Sequence, residues 1–415
     1  MTTSEYILLH RNDDVRQLAL NAPRDPDTDI KHALEQIAGW QTARRKLPAW
    51  AATEGIIYPP HISMEQCSSE KTALYKAELA LRLAGETDNT DRRKDNSAML
   101  TDLTGGFGVD FSYMAKALNE RMKGSGRRMV YVEQQEHLCS LARHNFALLG
   151  LTDAEIVNGD GVTHLQETGY SEIIYLDPAR RDVQGAKTFA ISDCTPNVIT
   201  INKLLLERAG HVIIKLSPML DWHKAMDDIR GVREVHIISV GNECKELLLV
   251  LGAQSDMEKA AVVCVNDDEV TRFDMRENAA TAAVRYVSDI KEMTERLNYL
   301  YEPNASIMKS GCFTQLAAIY NVAKLSRNSH LFMSEEQEST FPGRKFRVRK
   351  VTTMAKKELK EAMRGMAKAN ITVRNFPLSV AELRKRLKLK EGGSDYIFAT
   401  TLADNTHVLI ICDKA

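Results

Sequence analysis

From Ala98 to Leu251 short apolar runs alternate with longer amphipathic ones, and this pattern restricts the possible folds more than any other feature of the chain. The runs are Ala98–Leu103, Arg128–Glu133, Ala154–Val157, Glu172–Leu176 and His211–Leu216. Each has the length of a strand, and the stretch after each has helical spacing. Strands joined through helices form βαβ units and a parallel sheet. Two further runs, Val235–Val240 and Leu247–Leu251, are separated by a short polar turn that suits a closing hairpin. The expected class is α/β: a doubly wound, Rossmann-like sheet.

At 415 residues the chain exceeds one ordinary core. Residues 1–95 read as a helical domain, with apolar residues at three- and four-residue spacing in Asp29–Trp40 and Lys71–Leu83. Prolines interrupt it at Lys46-Leu47-Pro48 and Tyr58-Pro59-Pro60, and the polar stretch Gly85–Asn96 reads as a linker. Residues 96–254 hold the strand–helix alternation. Residues 255–340 read as an α+β connecting domain, with a strand at Ala260–Val265 and a helix at Ser306–Leu325. Residues 341–415 read as a second α+β domain. From Phe346 it runs strand, helix (Met354–Lys368), strand (Ile371–Arg374), helix (Val380–Leu389), then strands Tyr396–Leu402 and His407–Cys412.

No apolar run approaches the ~20 residues that span a bilayer, and Met1-Thr2-Thr3-Ser4-Glu5 does not begin a signal peptide. The seven cysteines include no CxxC pair, which speaks against a disulfide framework or a zinc cluster. A cytoplasmic protein with no membrane and no metal partner is expected; the oligomeric state is not legible. The net charge of −1 hides an asymmetry: Phe341–Glu391 carries sixteen Lys/Arg against four Asp/Glu. Such an excess is either a footprint for a polyanion or a solvated helical face.

The sharpest chemical motif is Leu100-Thr101-Asp102-Leu103-Thr104-Gly105-Gly106-Phe107-Gly108-Val109-Asp110, where the first strand turns into a helix. Glycines there let backbone approach a ligand, and the helix N-terminus offers N–H donors. Phe111 occupies the place of the last glycine of GxGxxG, so a dinucleotide reading loses ground. Glu133 ends the second strand, where its two oxygens can accept both hydroxyls of a ribose. Asp160-Gly161 follows the third strand, where a carboxylate can accept from an adenine amino group. Taken singly, each acid reads as a surface or capping residue; their recurrence at successive strand ends points to one site. Asp102, Thr104, Gly105, Gly106, Gly108, Glu133, Asp160 and Gly161 are therefore the expected cofactor-binding residues.

This glycine turn resembles the acidic-x-Gly-x-Gly-x-Gly motif of class I methyltransferases, with Thr104 in place of the first glycine, and the strand order resembles theirs too. The resemblance implies S-adenosylmethionine as cofactor. The fourth run ends in Asp177-Pro178-Ala179-Arg180-Arg181, similar to the Asp-Pro-Pro-aromatic motif of methyltransferases that modify amino groups of bases. Ala179 and Arg180 stand where a second proline and an aromatic platform would be. Arg180 and Arg181 can instead grip phosphate or stack through their guanidinium planes; the bland reading is a turn whose arginines pair with acids such as Asp182. Asp-Pro-x-Arg also resembles RNA uracil-C5 methyltransferases, but these need a cysteine after the fifth strand, where this chain has Lys215-Leu216-Ser217-Pro218. Asp177, Pro178 and Arg180 are expected to be catalytic, and Arg180, Arg181, Lys215 and Ser217 to bind substrate.

Gln66–Ala77, Leu176–Arg181, Lys215–Pro218, Glu243–Leu247, Tyr301-Glu302-Pro303-Asn304 and Phe341-Pro342-Gly343 together resemble the bacterial class I methyltransferases with a THUMP-like C-terminal domain. The resemblance implies a SAM-dependent methyltransferase. THUMP domains are in general associated with RNA modification, so RNA (tRNA or rRNA) is the expected partner and N-methylation of a base the expected reaction. A small-molecule or protein methyltransferase, or a non-catalytic RNA-binding protein retaining the fold, are the competing readings. Ser68-Ser69-Glu70 reads as a helix cap or as a flap over the cofactor, and Glu243–Glu246 as a hairpin turn or a pocket rim.

Overall fold

The computed structural model describes residues 1–21, 27–86, 97–121, 127–179, 191–252, 260–275 and 284–415. The chain divides into two compact units, Met1–His236 with Lys245–Ala260, and Ile237–Cys244 with Ala261–Ala415.

The first unit begins with helices. Asp29 caps helix Ile30–Lys46 by accepting from the His32 N–H at 3.0 Å, and three basic residues occupy its last turn, where the helix dipole favours them. Helix Glu70–Glu86 turns Thr72, Ala73, Ala77, Leu79, Ala80 and Leu83 inward at helical spacing, and with them a lysine, Lys76. Gly85 of the expected linker still belongs to this helix; residues 87–96 lie outside the described residues.

The first sheet contains β1 (Ala98–Asp102), β2 (Arg128–Glu133), β3 (Ala154–Asn158), β4 (Ser171–Leu176), β5 (Ala209–Leu216), β6 (Val232–Val240) and β7 (Glu243–Gly252), of which Ile237–Val240 and Glu243–Cys244 are counted with the second unit. Their order is β3-β2-β1-β4-β5-β7-β6. β1 pairs in parallel with β2 on one side and with β4 on the other, so the crossovers leave β1 and β4 in opposite directions. A crevice opens where the winding reverses, at the carboxyl ends of these strands. β7 runs antiparallel to β5, and Gly241 and Asn242, both at positive φ (58° and 61°), make the two-residue turn that joins β6 to β7.

In the second unit β8 (Ala261–Asn266) and β9 (Glu269–Asp274) form a hairpin. A seven-stranded sheet follows, with β10 (Tyr299–Pro303), β11 (Ala323–Lys324), β12 (Phe332–Ser334), β13 (Gly343–Thr353), β14 (Asn370–Arg374), β15 (Tyr396–Thr401) and β16 (His407–Lys414) in the order β11-β12-β10-β13-β16-β15-β14. Its pairs are antiparallel except β14 with β15, and helix Val380–Leu387 makes the crossover that parallel neighbours require. Leu300, Met333, Phe346, Phe398 and Ile410 pack one apolar cluster, and Ile371, Leu383, Ile397, Leu409 and Ile411 another.

Two stretches expected as single long helices are shorter and broken in the structure. Ser306–Leu325 is two short helices, Ala305–Ser310 and Phe313–Ile319, followed by strand β11. Gly311 ends the first in the left-handed conformation (φ 71°), a common helix stop. The helix expected over Met354–Lys368 spans only Lys356–Ala362, and Gly365 beyond it also has positive φ (84°).

Candidate active site

Four acids stand at or just beyond the carboxyl ends of consecutive strands in the sheet: Asp160 after β3, Glu133 on β2, Asp102 on β1 and Asp177 after β4. They flank the turn that starts helix Val109–Arg121. That turn is closed by three glycines, and at two of them, Gly105 and Gly108, there is no room for a side chain. A Cβ on Gly105 would lie 2.2 Å from the Tyr131 ring, and one on Gly108 would lie 2.7 Å from Phe146 Cζ. Gly106 and Gly108 also take positive φ, at 58° and 84°. Gly161, at the first turn of helix Gly161–Glu167, approaches the Leu103 carbonyl so closely that a Cβ would sit 2.1 Å from its oxygen.

Glu133 holds the turn in shape. One of its oxygens accepts from the Gly106 N–H at 2.8 Å, and the other accepts from the Gln135 N–H, also at 2.8 Å. Each carboxylate oxygen keeps a second lone pair for a ligand. Asp160 is exposed; it caps helix Gly161–Glu167 through the Thr163 N–H at 2.8 Å and accepts from Gln134 Nε2 at 2.6 Å. The Thr163 backbone bond is the main cause holding its carboxyl below the usual range.

Thr104, in the position of the first glycine of the motif, ties two strand ends together. Its hydroxyl accepts from the Asp177 N–H at 2.6 Å, and its backbone N–H donates to Asp102 at 2.9 Å. Asp102 is 1% exposed. Burial raises its carboxyl well above the usual carboxylate range, and the charges of Asp110, Asp177 and Glu133 add to the effect, against the bond from Thr104.

Beneath the strand ends lies a buried ionic network that the sequence reading did not anticipate. The Asp177 carboxylate, two-fifths exposed, accepts from Lys215 Nζ at 2.7 Å. The same ammonium lies 3.6 Å from Asp110 Oδ2. Burial works against the Lys215 charge, but Asp177, Asp110 and Glu246 prevail and raise its pKa above the usual lysine value. Asp110 also accepts from Tyr175 at 2.7 Å and from Ser68 at 2.8 Å, and lies 3.2 Å from Lys76 Nζ. Desolvation opposes its ionisation, yet Lys76 and Lys215 hold its pKa down at about 2. Lys76 is fully buried, and its ammonium bonds Glu246 and Ser68, the latter at 3.1 Å. The one sequence signal was Lys76 itself, a charge at an inward helical position.

The remaining expected residues are placed as follows. Pro178 is buried, and Ala179 pairs with Thr195 in an isolated bridge. Arg180, Arg181 and Asp182 lie outside the described residues. Ser217 is buried beyond β5, and its hydroxyl accepts from the Met219 N–H at 3.2 Å. Ser68-Ser69-Glu70 is engaged by the protein: Ser68 by Asp110, Ser69 in a long cap to the Thr72 N–H (3.4 Å), and Glu70 by the Ala49 N–H and the Tyr113 hydroxyl. In the second unit several arginines of the basic segment are internally paired: Arg344 and Arg374 with Glu302, and Arg349 with Asp395 and Asp413. Their partners lie outside the basic segment, so its charge excess is partly neutralised.

Among the described residues no helix is long and apolar enough to cross a membrane, and no group of three or more His, Cys, Asp or Glu is arranged to hold a metal.

A sheet wound in the order 3-2-1-4-5-7-6, with a glycine turn and acids at the switch point, defines a methyltransferase of the Rossmann-like class I type. Residues 343–414 match the model of a THUMP domain-like family and residues 299–342 that of a ferredoxin-like domain. The crystal structure of a candidate methyltransferase from Porphyromonas gingivalis W83 aligns over 100% of this chain and 97% of its own, with 30% identity and a TM-score of 0.81. The chain belongs to that family, the bacterial class I SAM-dependent methyltransferases with a THUMP-like C-terminal domain. Weaker similarity, too low to inform function, extends to the N-terminal domain of human METTL16 in complex with SAH (14% identity, 59% of this chain, 95% of that one, TM-score 0.36). It extends also to an O-methyltransferase from Bacillus cereus in complex with SAH (12%, 59% and 99%, TM-score 0.34). No curated protein matches the chain.

Proposed function

We propose that this protein transfers a methyl group from S-adenosylmethionine to a nitrogen of an RNA base, in tRNA or rRNA. The residues fit that cofactor: acceptors at the strand ends suit hydroxyl and amino donors, and the acid crowding that raises Asp102 suits a cation. Glu133 would accept from the ribose hydroxyls and Asp160 from the adenine amino group, while Gly105, Gly106 and Gly108 admit the ligand to the backbone and Gly161 packs the β3 turn against Leu103. Asp102 would face the positively charged methionine end.

The cofactor supplies an activated methyl group, so the protein's part is mainly positioning. Asp177 would accept a hydrogen bond from the target N–H, turn the nitrogen lone pair towards the methyl carbon, and take up the proton as the new bond forms. The observation that carries this reading is the fixing of Asp177 from two sides, its backbone by Thr104 and its carboxylate by Lys215. Pro178 limits the backbone that follows, and Ser217 borders the same end of β5. Arg180 and Arg181 are proposed to hold phosphate. Lys345, Arg347, Lys385 and Lys388, which make no ion pair among the described residues, support RNA contact by the C-terminal domain. The internal pairing of Arg344, Arg349 and Arg374 favours a second reading, a smaller substrate.

The test is transfer of labelled methyl groups to total RNA from a strain lacking the gene, followed by nucleoside mass spectrometry. A methylated base nitrogen is expected; label in small molecules or protein alone would overturn the RNA assignment.

A further inference from the structure

The end of β5 sets a hydrogen-bond donor beside the acceptor that the proposed reaction uses. β4 and β5 run in parallel with Leu176 opposite Ile214, so Asp177 and Lys215 leave neighbouring strands side by side. Lys215 Nζ donates to Asp177 Oδ2 at 2.7 Å. The second oxygen, Oδ1, makes no hydrogen bond among the described residues, on a carboxylate that is two-fifths exposed. The Asp177 backbone is fixed as well, by its N–H bond to the Thr104 hydroxyl.

An ammonium has three N–H groups and no acceptor. Asp177 takes one of the three on Lys215. Asp110 Oδ2, at 3.6 Å, attracts the charge from beyond hydrogen-bond reach, so Lys215 keeps unspent donor capacity among the described residues. Its side chain is not sealed off, since 11% of it remains exposed. Burial opposes its charge, but Asp177, Asp110 and Glu246 hold it as an ammonium.

A free acceptor and a spare donor, separated by a single carboxyl group, suit a base edge with an N–H beside a carbonyl. Guanine N1 and uracil N3 have that lactam edge. The charge that develops in the reaction favours it too. A lactam nitrogen has no lone pair to give until its proton leaves, and the negative charge then gathers on the carbonyl oxygen, where a fixed cation stabilises it. An exocyclic amino nitrogen becomes positive as it attacks, and an ammonium beside it opposes that change.

We infer that Asp177 and Lys215 together select a lactam N–H, so that the target is N1 of guanine or N3 of uracil rather than an exocyclic amino group. This rests on the RNA reading above, and it departs from the amino-group chemistry of the motif that Asp177-Pro178 resembles. Asp177 Oδ1 takes the proton from the ring nitrogen while Lys215 donates to the neighbouring carbonyl oxygen. The electron pair left on nitrogen forms the bond to the methyl carbon as the carbon–sulfur bond breaks and its pair returns to sulfur. The carbonyl is then neutral again, and Asp177 passes the proton to solvent through its exposed side.

The experiment gives the full-length protein methyl-labelled S-adenosylmethionine and total RNA from a strain lacking the gene, and identifies the labelled nucleosides by mass spectrometry. Label in 1-methylguanosine or 3-methyluridine is expected, and the one that appears identifies the base. Label confined to other positions, such as N6-methyladenosine or N4-methylcytidine, would overturn the lactam assignment and leave the RNA reading intact. A wild type that labels no RNA would instead overturn the RNA reading, and this inference with it. Lys215→Met should lower kcat by about 10²–10³-fold, the usual worth of one donor to a developing oxyanion, with KM for the cofactor within a factor of a few. Relative to wild type, its activity should recover by about tenfold per pH unit as the lactam ionises unaided, and Lys215→Arg, which keeps the charge, should retain more activity. A Lys215→Met protein with wild-type kcat, or with the same loss at every pH, would overturn the role of Lys215. The product test uses the wild type alone, so it decides the target even where Lys215→Met does not fold.

Discussion

Replacing Lys76 by methionine removes one charge from the buried network while keeping most of the side-chain volume. The ammonium it removes lies 3.2 Å from Asp110 Oδ1 and bonds Glu246 and Ser68, in a position with no exposed surface. Asp110 retains Ser68, Tyr175 and the more distant Lys215, but Glu246 loses its nearest cation. Removing one partner of a buried pair costs about 3–5 kcal/mol, because the other charge is left behind. For a unit of this size that corresponds to a fall in Tm on the order of 10 °C at neutral pH.

The loss must also depend on pH. Burial already raises the Glu246 pKa in the folded protein, and without Lys76 it rises further. Above the unfolded carboxylate pKa the native state then binds more protons than the unfolded state, so stability falls as pH rises towards the folded value. The variant should therefore lose more stability at pH 8 than at pH 5. Melting followed by circular dichroism across that range, with Lys76→Met/Glu246→Leu as control, is the assay. The double variant should recover more than half of the lost stability, since apolar side chains can replace a buried pair at little cost. A Lys76→Met protein that melts within about 2 °C of wild type at every pH would refute the reasoning.

Two other predictions concern the site. Asp177→Asn should lower methyl transfer by about 10²–10⁴-fold, the usual worth of a positioned acid–base group, while cofactor affinity measured by calorimetry stays within a factor of a few. Asp102 holds its proton in the free protein well above the usual carboxylate pH; a bound cation should lower that pKa, so affinity for S-adenosylmethionine should rise with pH by up to about tenfold per unit. Calorimetry in buffers of different ionisation enthalpy should register proton release on binding in the wild type and none in Asp102→Asn; equal release in both would remove Asp102 from the site.

Much of the first sheet was legible because most of its strands are largely buried apolar runs set between amphipathic helices. The seven expected runs, from Ala98–Leu103 to Leu247–Leu251, correspond to β1 to β7. The same periodicity misled where a glycine lay within an apolar pattern. Gly311 divides the helix expected over Ser306–Leu325, and the helix expected to reach Lys368 stops before Gly365. Helical spacing alone cannot register a residue that leaves the right-handed region. The strand-end acids were readable because strand ends are local features. The network below them was not: Lys76 and Glu246 are 170 positions apart, and only the fold brings them together. Thr104 was read as a departure from the glycine motif, and the structure gives it a link to Asp177.

The cofactor site is tested most directly by thermal stability with added S-adenosylhomocysteine, in wild type and in Glu133→Ala. The wild type should gain a saturable increase in Tm, worth about 2.7 kcal/mol at a hundredfold excess over Kd, and Glu133→Ala should lose most of it. A wild-type protein whose melting does not move at concentrations of about 1 mM would contradict the account.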